Sequence, residues 1–203
     1  LKKDGSVWCW GYGGHGQLGP GTGGQSTPGA VKGLADVKAI TTGWHTTCAL
    51  KKDGSVWCWG LTANVQFGNG SDKSKFTPLA VKGLANVTAI DSVAAHTCAL
   101  KTDGTVWCWG ANTYGQLGDG TLNDRLAPTK IGTDTNWLDI DAMYMHTVAL
   151  KTNGTLWTWG FNDSGQLGDG STTNRATPAQ IGSDTNWSAI AAGRNHNVGL
   201  KAA

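Results

Sequence analysis

The chain has 203 residues, 31 of them glycine, 11 tryptophan and none glutamate, so all 14 acidic residues are aspartate. Glycine weakens helix interiors by roughly 1 kcal/mol relative to alanine, and glycine and aspartate favour turns, so helical bundles and coiled coils are disfavoured and a turn-rich all-β protein is expected. The formal charge is +2 with no basic stripe, and no apolar run approaches a membrane span, so neither a nucleic-acid partner nor a spanning helix is expected.

In chain order, LKKDGSVWCWG at Leu1–Gly11 opens a unit that returns at Leu50–Gly60, Leu100–Gly110 and Leu150–Gly160, and Leu200 begins a fifth copy. Each block is followed by a GQLG segment at Gly16–Gly19, Gly115–Gly118 and Gly165–Gly168, degraded to VQFG at Val65–Gly68. A proline comes next (Pro28, Pro78, Pro128, Pro178), then an alternating strand ending at Ile40, Ile90, Ile140 or Ile190. A histidine precedes the last strand in three copies, His96, His146 and His196, whereas the first copy has Thr46 there and His45 one place earlier. Units of about 50 residues holding several short strands are the signature of a propeller, in which neighbouring blades cover each other's faces. The repeats run approximately 1–49, 50–99, 100–149 and 150–199, in one propeller or propeller fragment over 1–203.

Within each unit, Lys52-Asp53-Gly54 fits a three-residue hairpin loop with the glycine in a left-handed conformation. That loop sets Leu50 opposite Val56, Ala49 opposite Trp57 and Cys48 opposite Cys58. The paired tryptophans, such as Trp57/Trp59, share one strand face and are read as blade-to-blade packing, with a stacking surface for sugars or bases as the functional alternative.

The L-K-x-D-G-x-V-W-x-W-G block, the G-Q-L-G block and the G-x-x-H strand entry resemble the regulator of chromosome condensation repeat family. The resemblance covers essentially the whole chain. It implies a β-propeller of four-stranded antiparallel blades, usually seven. Four repeats are a departure, read as part of a larger seven-bladed propeller; a four-bladed ring and an array completed by other chains are the alternatives. Cys9 sits at the Cys58 position, so its hairpin partner is expected two residues before Leu1, in an upstream blade. The start at Leu1 is read as a mature product or a fragment.

Cys48/Cys58 and Cys98/Cys108 are each ten apart, and in the next copy both positions change together, to Val148 and Thr158. Directly opposed strand residues have Cα atoms within disulfide range. Two disulfides, Cys48–Cys58 and Cys98–Cys108, are therefore expected, and with them an oxidising compartment; buried free thiols are the alternative. No metal site, cofactor or catalytic constellation is expected. The histidines are read as structural hydrogen-bonding groups, and Asp139 and Asp141 as solvated strand-edge residues.

The repeats differ most in the residues after the G-x-x-H glycine: Trp44-His45, Ala94-Ala95, Tyr144-Met145 and Arg194-Asn195. Trp, Tyr and Arg are enriched in binding hot spots, which makes Trp44, Tyr144 and Arg194 a candidate partner-binding rim. A second variable set follows the Trp-Gly step, at Tyr12, Leu61, Tyr114 and Phe161. The reading is a non-enzymatic, extracytoplasmic interaction or structural scaffold with an unidentified protein partner and a capacity for self-assembly. The resemblance adds a bacterial cell-surface or extracellular setting. It also supplies two alternatives: guanine-nucleotide exchange with chromatin binding, as in the founding member, and secreted inhibition of an enzyme.

Overall fold

A computed structural model describes residues 1–20, 23–61, 68, 75–93 and 96–202. Among these the chain has no helix, and its sixteen strands form five antiparallel sheets. Three sheets are complete. The first comprises β3 (Val37–Thr42), β4 (Thr46–Lys51), β5 (Val56–Gly60) and β6 (Lys75–Ala80). The second comprises β7 (Val87–Val93), β8 (His96–Lys101), β9 (Val106–Gly110) and β10 (Arg125–Lys130). The third comprises β11 (Trp137–Met143), β12 (His146–Lys151), β13 (Leu156–Gly160) and β14 (Arg175–Gln180). Two-stranded sheets flank them: β1 (Trp8–Tyr12) with β2 (Gly24–Ala30), and β15 (Trp187–Ala192) with β16 (Asn197–Lys201). The first strands of successive sheets pack side by side, β3 on β7, β7 on β11 and β11 on β15, forming the hub of a β-propeller.

The sheets are out of phase with the sequence repeat. Leu50, the start of the second unit, lies inside β4, so each unit supplies the outer strands of one sheet and the inner strands of the next. Four units therefore give three whole blades and two two-stranded pieces among the described residues.

The hairpin register is the one expected from the loop: Leu50 faces Val56, Ala49 faces Trp57 and Cys48 faces Cys58. Gly54 has φ +80° and its Cα side lies against the backbone of Asn86, so a side chain there meets both a backbone penalty and a close approach. Asp53 accepts the Ser55 amide at 2.9 Å and hydroxyl at 2.7 Å, and the Trp57 indole donates to Ser55 Oγ at 3.2 Å. Through these bonds the D-G-S-x-W string fixes its own turn.

Strand alternation gives each blade two different faces. Ala49, Trp57 and Trp59 face the preceding sheet, packing with Val7, Val31 and Leu34. Cys48, Leu50, Val56 and Cys58 face the following sheet, packing with Val87, Ala99, Trp107 and Trp109. The next interface repeats this with Cys98, Leu100, Val106 and Cys108 against Trp157 and Trp159. Trp59, Trp109 and Trp159 are fully buried, so their repeated pairs form inter-blade core. Cα atoms within each cysteine pair are 4.2 Å apart and the sulfurs lie at bonding distance. Cys9 is half-buried and unbonded, and burial pushes its thiol pKa up.

Candidate functional site: the hub rim

The loops between the first and second strands of successive sheets emerge at one mouth of the hub. Backbone bonds close them tightly: the Gly43 amide donates to Thr46 O at 2.9 Å, and the Gly193 amide to His196 O at 2.8 Å. Trp44, Tyr144 and Arg194 tip three of these loops; Ala94 and Ala95, at the fourth, lie outside the described residues.

The three tips come together. Trp44 and Tyr144, a hundred residues apart in sequence, have ring centroids 5.8 Å apart at 45°. The Arg194 guanidinium carbon lies 4.6 Å from the Tyr144 ring centroid, and Nη2 donates a long 3.5 Å hydrogen bond to the Tyr144 hydroxyl. The result is a contiguous Trp–Tyr–Arg cluster with its two rings tilted to each other. Tyr144 has φ +50°, a strained conformation for a bulky residue and one that clusters at functional sites.

Around the cluster lie side chains that spacing alone did not connect. His15, a loop residue without an evident partner in the sequence, packs on His45 with centroids 4.3 Å apart and on Tyr12 at 5.6 Å. Tyr114 meets Phe161 edge to face at 4.8 Å.

Beneath the rim the histidines act as ties between sheets. His96 Nε2 is 2.9 Å from Thr147 Oγ1 in the next sheet, and that hydroxyl donates to Gln116 O at 2.9 Å. His146 Nε2 is 2.9 Å from Asn197 Oδ1, whose amide nitrogen donates to Gln166 O at 2.6 Å. Burial, with the neighbouring His146 adding to it, pushes the His96 pKa down to about 3, so the ring is neutral. Burial also lowers His146. No cluster of three metal-ligating side chains forms among the described residues.

The hub wall holds a second set of ties. Thr41 Oγ1 donates to Asp91 Oδ1 at 3.0 Å, and Asp91 Oδ2 accepts the Ala142 amide at 2.7 Å. Asp141 Oδ2 accepts the Ala192 amide at 2.9 Å. Burial, reinforced by the Asp141 carboxyl and opposed by the Ala142 amide, raises the Asp91 pKa to about 6. Asp139 is raised by burial as well. Asp139 and Asp141 are therefore not freely solvated edge residues. Both are half-buried, and Asp141 binds the next blade's backbone, a partner fifty residues away that local spacing does not reveal.

Fold and site together define a class: a β-propeller array whose constant Trp-x-Trp blades present variable loops at one hub mouth. The chain belongs to the RCC1-like domain family, which matches residues 1–203. It is similar in fold to yeast RCC1 (Prp20) bound to Kap60, with 24% identity and a TM-score of 0.88, covering 100% of this chain and 52% of that one. Human WBSCR16 gives 24% identity and a TM-score of 0.87, covering 100% and 55%. Prp20p from Saccharomyces cerevisiae, described for its binding to Gsp1p and histones, gives 24% and 0.86, covering 100% and 53%. The chain thus spans about half the length of these structures. No curated protein matches its sequence significantly. No helix among the described residues is long and apolar enough to cross a membrane.

Proposed function

We propose that this chain is a non-enzymatic protein-interaction scaffold whose partner docks on the Trp44–Tyr144–Arg194 rim. The observation that carries this reading is the convergence of the three residues. Their positions vary where the rest of the repeat is constant, they come from loops 50 and 100 residues apart, and they meet in one cluster in which exposed Trp44 and Arg194 flank a half-buried, strained Tyr144. Trp44 is 61% exposed, which leaves its ring face available. Rings and guanidinium groups of this kind contribute most of the energy at protein interfaces.

We further propose that Cys48–Cys58 and Cys98–Cys108 are disulfides and that the protein works in an oxidising, extracytoplasmic setting, at a cell surface or outside the cell. Blades completed by strands of other chains, and hence assembly, fit the same scaffold. Nucleotide exchange on a small GTPase is the second reading, favoured by family membership. The near-neutral charge and the paired cysteines weigh against it.

A pull-down from the native source tests the rim: replacing Trp44, Tyr144 and Arg194 together by alanine is expected to abolish capture of a protein that the unaltered chain retains. Retained capture rejects the rim. A GTPase in the eluate favours exchange over scaffolding. Intact mass with and without reductant tests the cysteines; five free thiols would remove the extracytoplasmic argument.

A further inference from the structure

The rim's charge constrains what can dock there. The chain has three arginines. Arg125 and Arg175 are each bound to a carboxylate at 2.6 Å, those of Asp119 and Asp169. Arg194 has no carboxylate partner among the described residues. It is also the one permanent charge in the four rim loops, whose sequences are Gly-Trp-His, Ala-Ala, Tyr-Met and Gly-Arg-Asn-His.

The guanidinium lies over the Tyr144 ring and makes one long hydrogen bond to its hydroxyl. The remaining N–H edge is left in the fork geometry that matches a carboxylate. A phosphate site usually gathers several donors and cations; a single guanidinium flanked by rings suits a singly charged group beside an apolar one. The apolar side is present too. Trp44 lies next to Tyr144 and is itself 61% exposed.

Building on the rim reading above, we infer that the partner presents an extended acidic segment, with an Asp or Glu carboxylate on Arg194 and an adjacent aromatic or branched apolar side chain against Trp44. The other two arginines each already hold a carboxylate, that of Asp119 or Asp169.

The test pans the 203-residue chain against two displayed libraries of short peptides. One has Asp or Glu fixed at the centre with randomised flanks, and the other has Asn or Gln in the same place. Enrichment is expected only from the acidic library, with Leu, Phe, Tyr or Trp beside the fixed position. Binding of the enriched peptide, read by fluorescence anisotropy, is expected to fall roughly tenfold in Arg194→Gln, to recover partly in Arg194→Lys, and to weaken with added salt. Circular dichroism checks that these exposed substitutions leave the fold intact. Equal enrichment from the amide library, no enrichment from the acidic one, or unchanged affinity in Arg194→Gln overturns the acidic partner. Where either library enriches a peptide, Trp44→Ala separates the two ideas; enrichment from neither rejects both. Loss of peptide binding with Trp44→Ala but not Arg194→Gln keeps the rim and rejects the carboxylate, whereas loss with neither rejects both.

Discussion

The first and third complete blades use one frame but close it differently. In the first, Cys48 faces Cys58 across the β4–β5 hairpin. In the third, the same register places Val148 opposite Thr158, and the Thr158 hydroxyl donates to Leu167 O at 2.8 Å. The turn beside the pair differs as well. Lys51 lies 5.9 Å from the Trp57 ring centroid in the first blade, whereas Lys151 lies 3.6 Å from Trp157 and 4.6 Å from Trp137. Lys151 Nζ also donates to Asp134 at 2.8 Å, and the residue is buried. Trp137 occupies the position held by Val37 and Val87 in the other blades. A facing cysteine pair in one blade is thus matched by a lysine held between two indoles and a carboxylate in the other. The blade frame tolerates either, because the Trp face and the hub contacts are common to both.

The comparison can be broken most strongly through what the blades share. Trp109→Ala and Trp159→Ala each empty a fully buried site, and each is expected to cost about 3–5 kcal/mol in chemical denaturation. A much smaller loss at Trp159 would show that the third interface closes around the gap and is not equivalent to the second.

Reducing the cysteines, or replacing Cys48 and Cys58 together by alanine, is expected to cost roughly 2–3 kcal/mol through a short closed loop. Amide exchange should quicken in β4–β5 and stay unchanged in β12–β13. Uniform quickening would mean that the blades open as one unit.

The hub wall joins the second blade to the third through Asp91. Its pKa is raised from 3.8 to about 6, so the folded chain holds this proton more readily than the unfolded one. Its contribution is therefore fully present below the unfolded value and is lost as pH rises from there through 6, on the order of 3 kcal/mol. Asp91→Asn should flatten that stretch of the stability–pH curve. A curve that keeps its slope in the variant would place the titration elsewhere.

The smallest expected effect is Lys151→Met, about 1 kcal/mol, from losing the indole contacts and the Asp134 bond. The corresponding change at Lys51 should lie near zero, since its ion pair with Asp53 is long, at 3.9 Å, and Asp53 is well exposed. Equal losses would remove the contrast between the two closures.

Hairpin register was legible in the sequence because each constraint on it is local. A turn of known length, a glycine at its left-handed position and cysteines ten apart determine one pairing. Burial of the Trp-x-Trp face was legible for the same reason, from strand alternation. The phase of the sheets was not, since a periodic sequence reads the same from any starting point. Nor were contacts between repeats. Thr41, Asp91 and Asp141 look like ordinary strand residues until β3, β7 and β11 are set side by side. Trp44 and Tyr144 were singled out as variable, but their contact depends on the curvature of the whole array. His45 was noticed only as a misplaced histidine, and its meeting with His15 depends on two loops turning toward each other.

The phase offset between unit and blade also bears on how such a gene can grow. Because each unit finishes one sheet and begins the next, a duplicated unit arrives already interlocked with both neighbours. Copying in steps of about 50 residues leaves each interior seam with a tryptophan face on one side and a Cys/Leu/Val face on the other. Lengthening then requires no new interface to be invented, and selection is left free to diversify the loop tips. The identity of Leu1–Gly11 and Leu50–Gly60, beside the complete divergence of Trp44, Ala94, Tyr144 and Arg194, is the pattern such growth leaves behind.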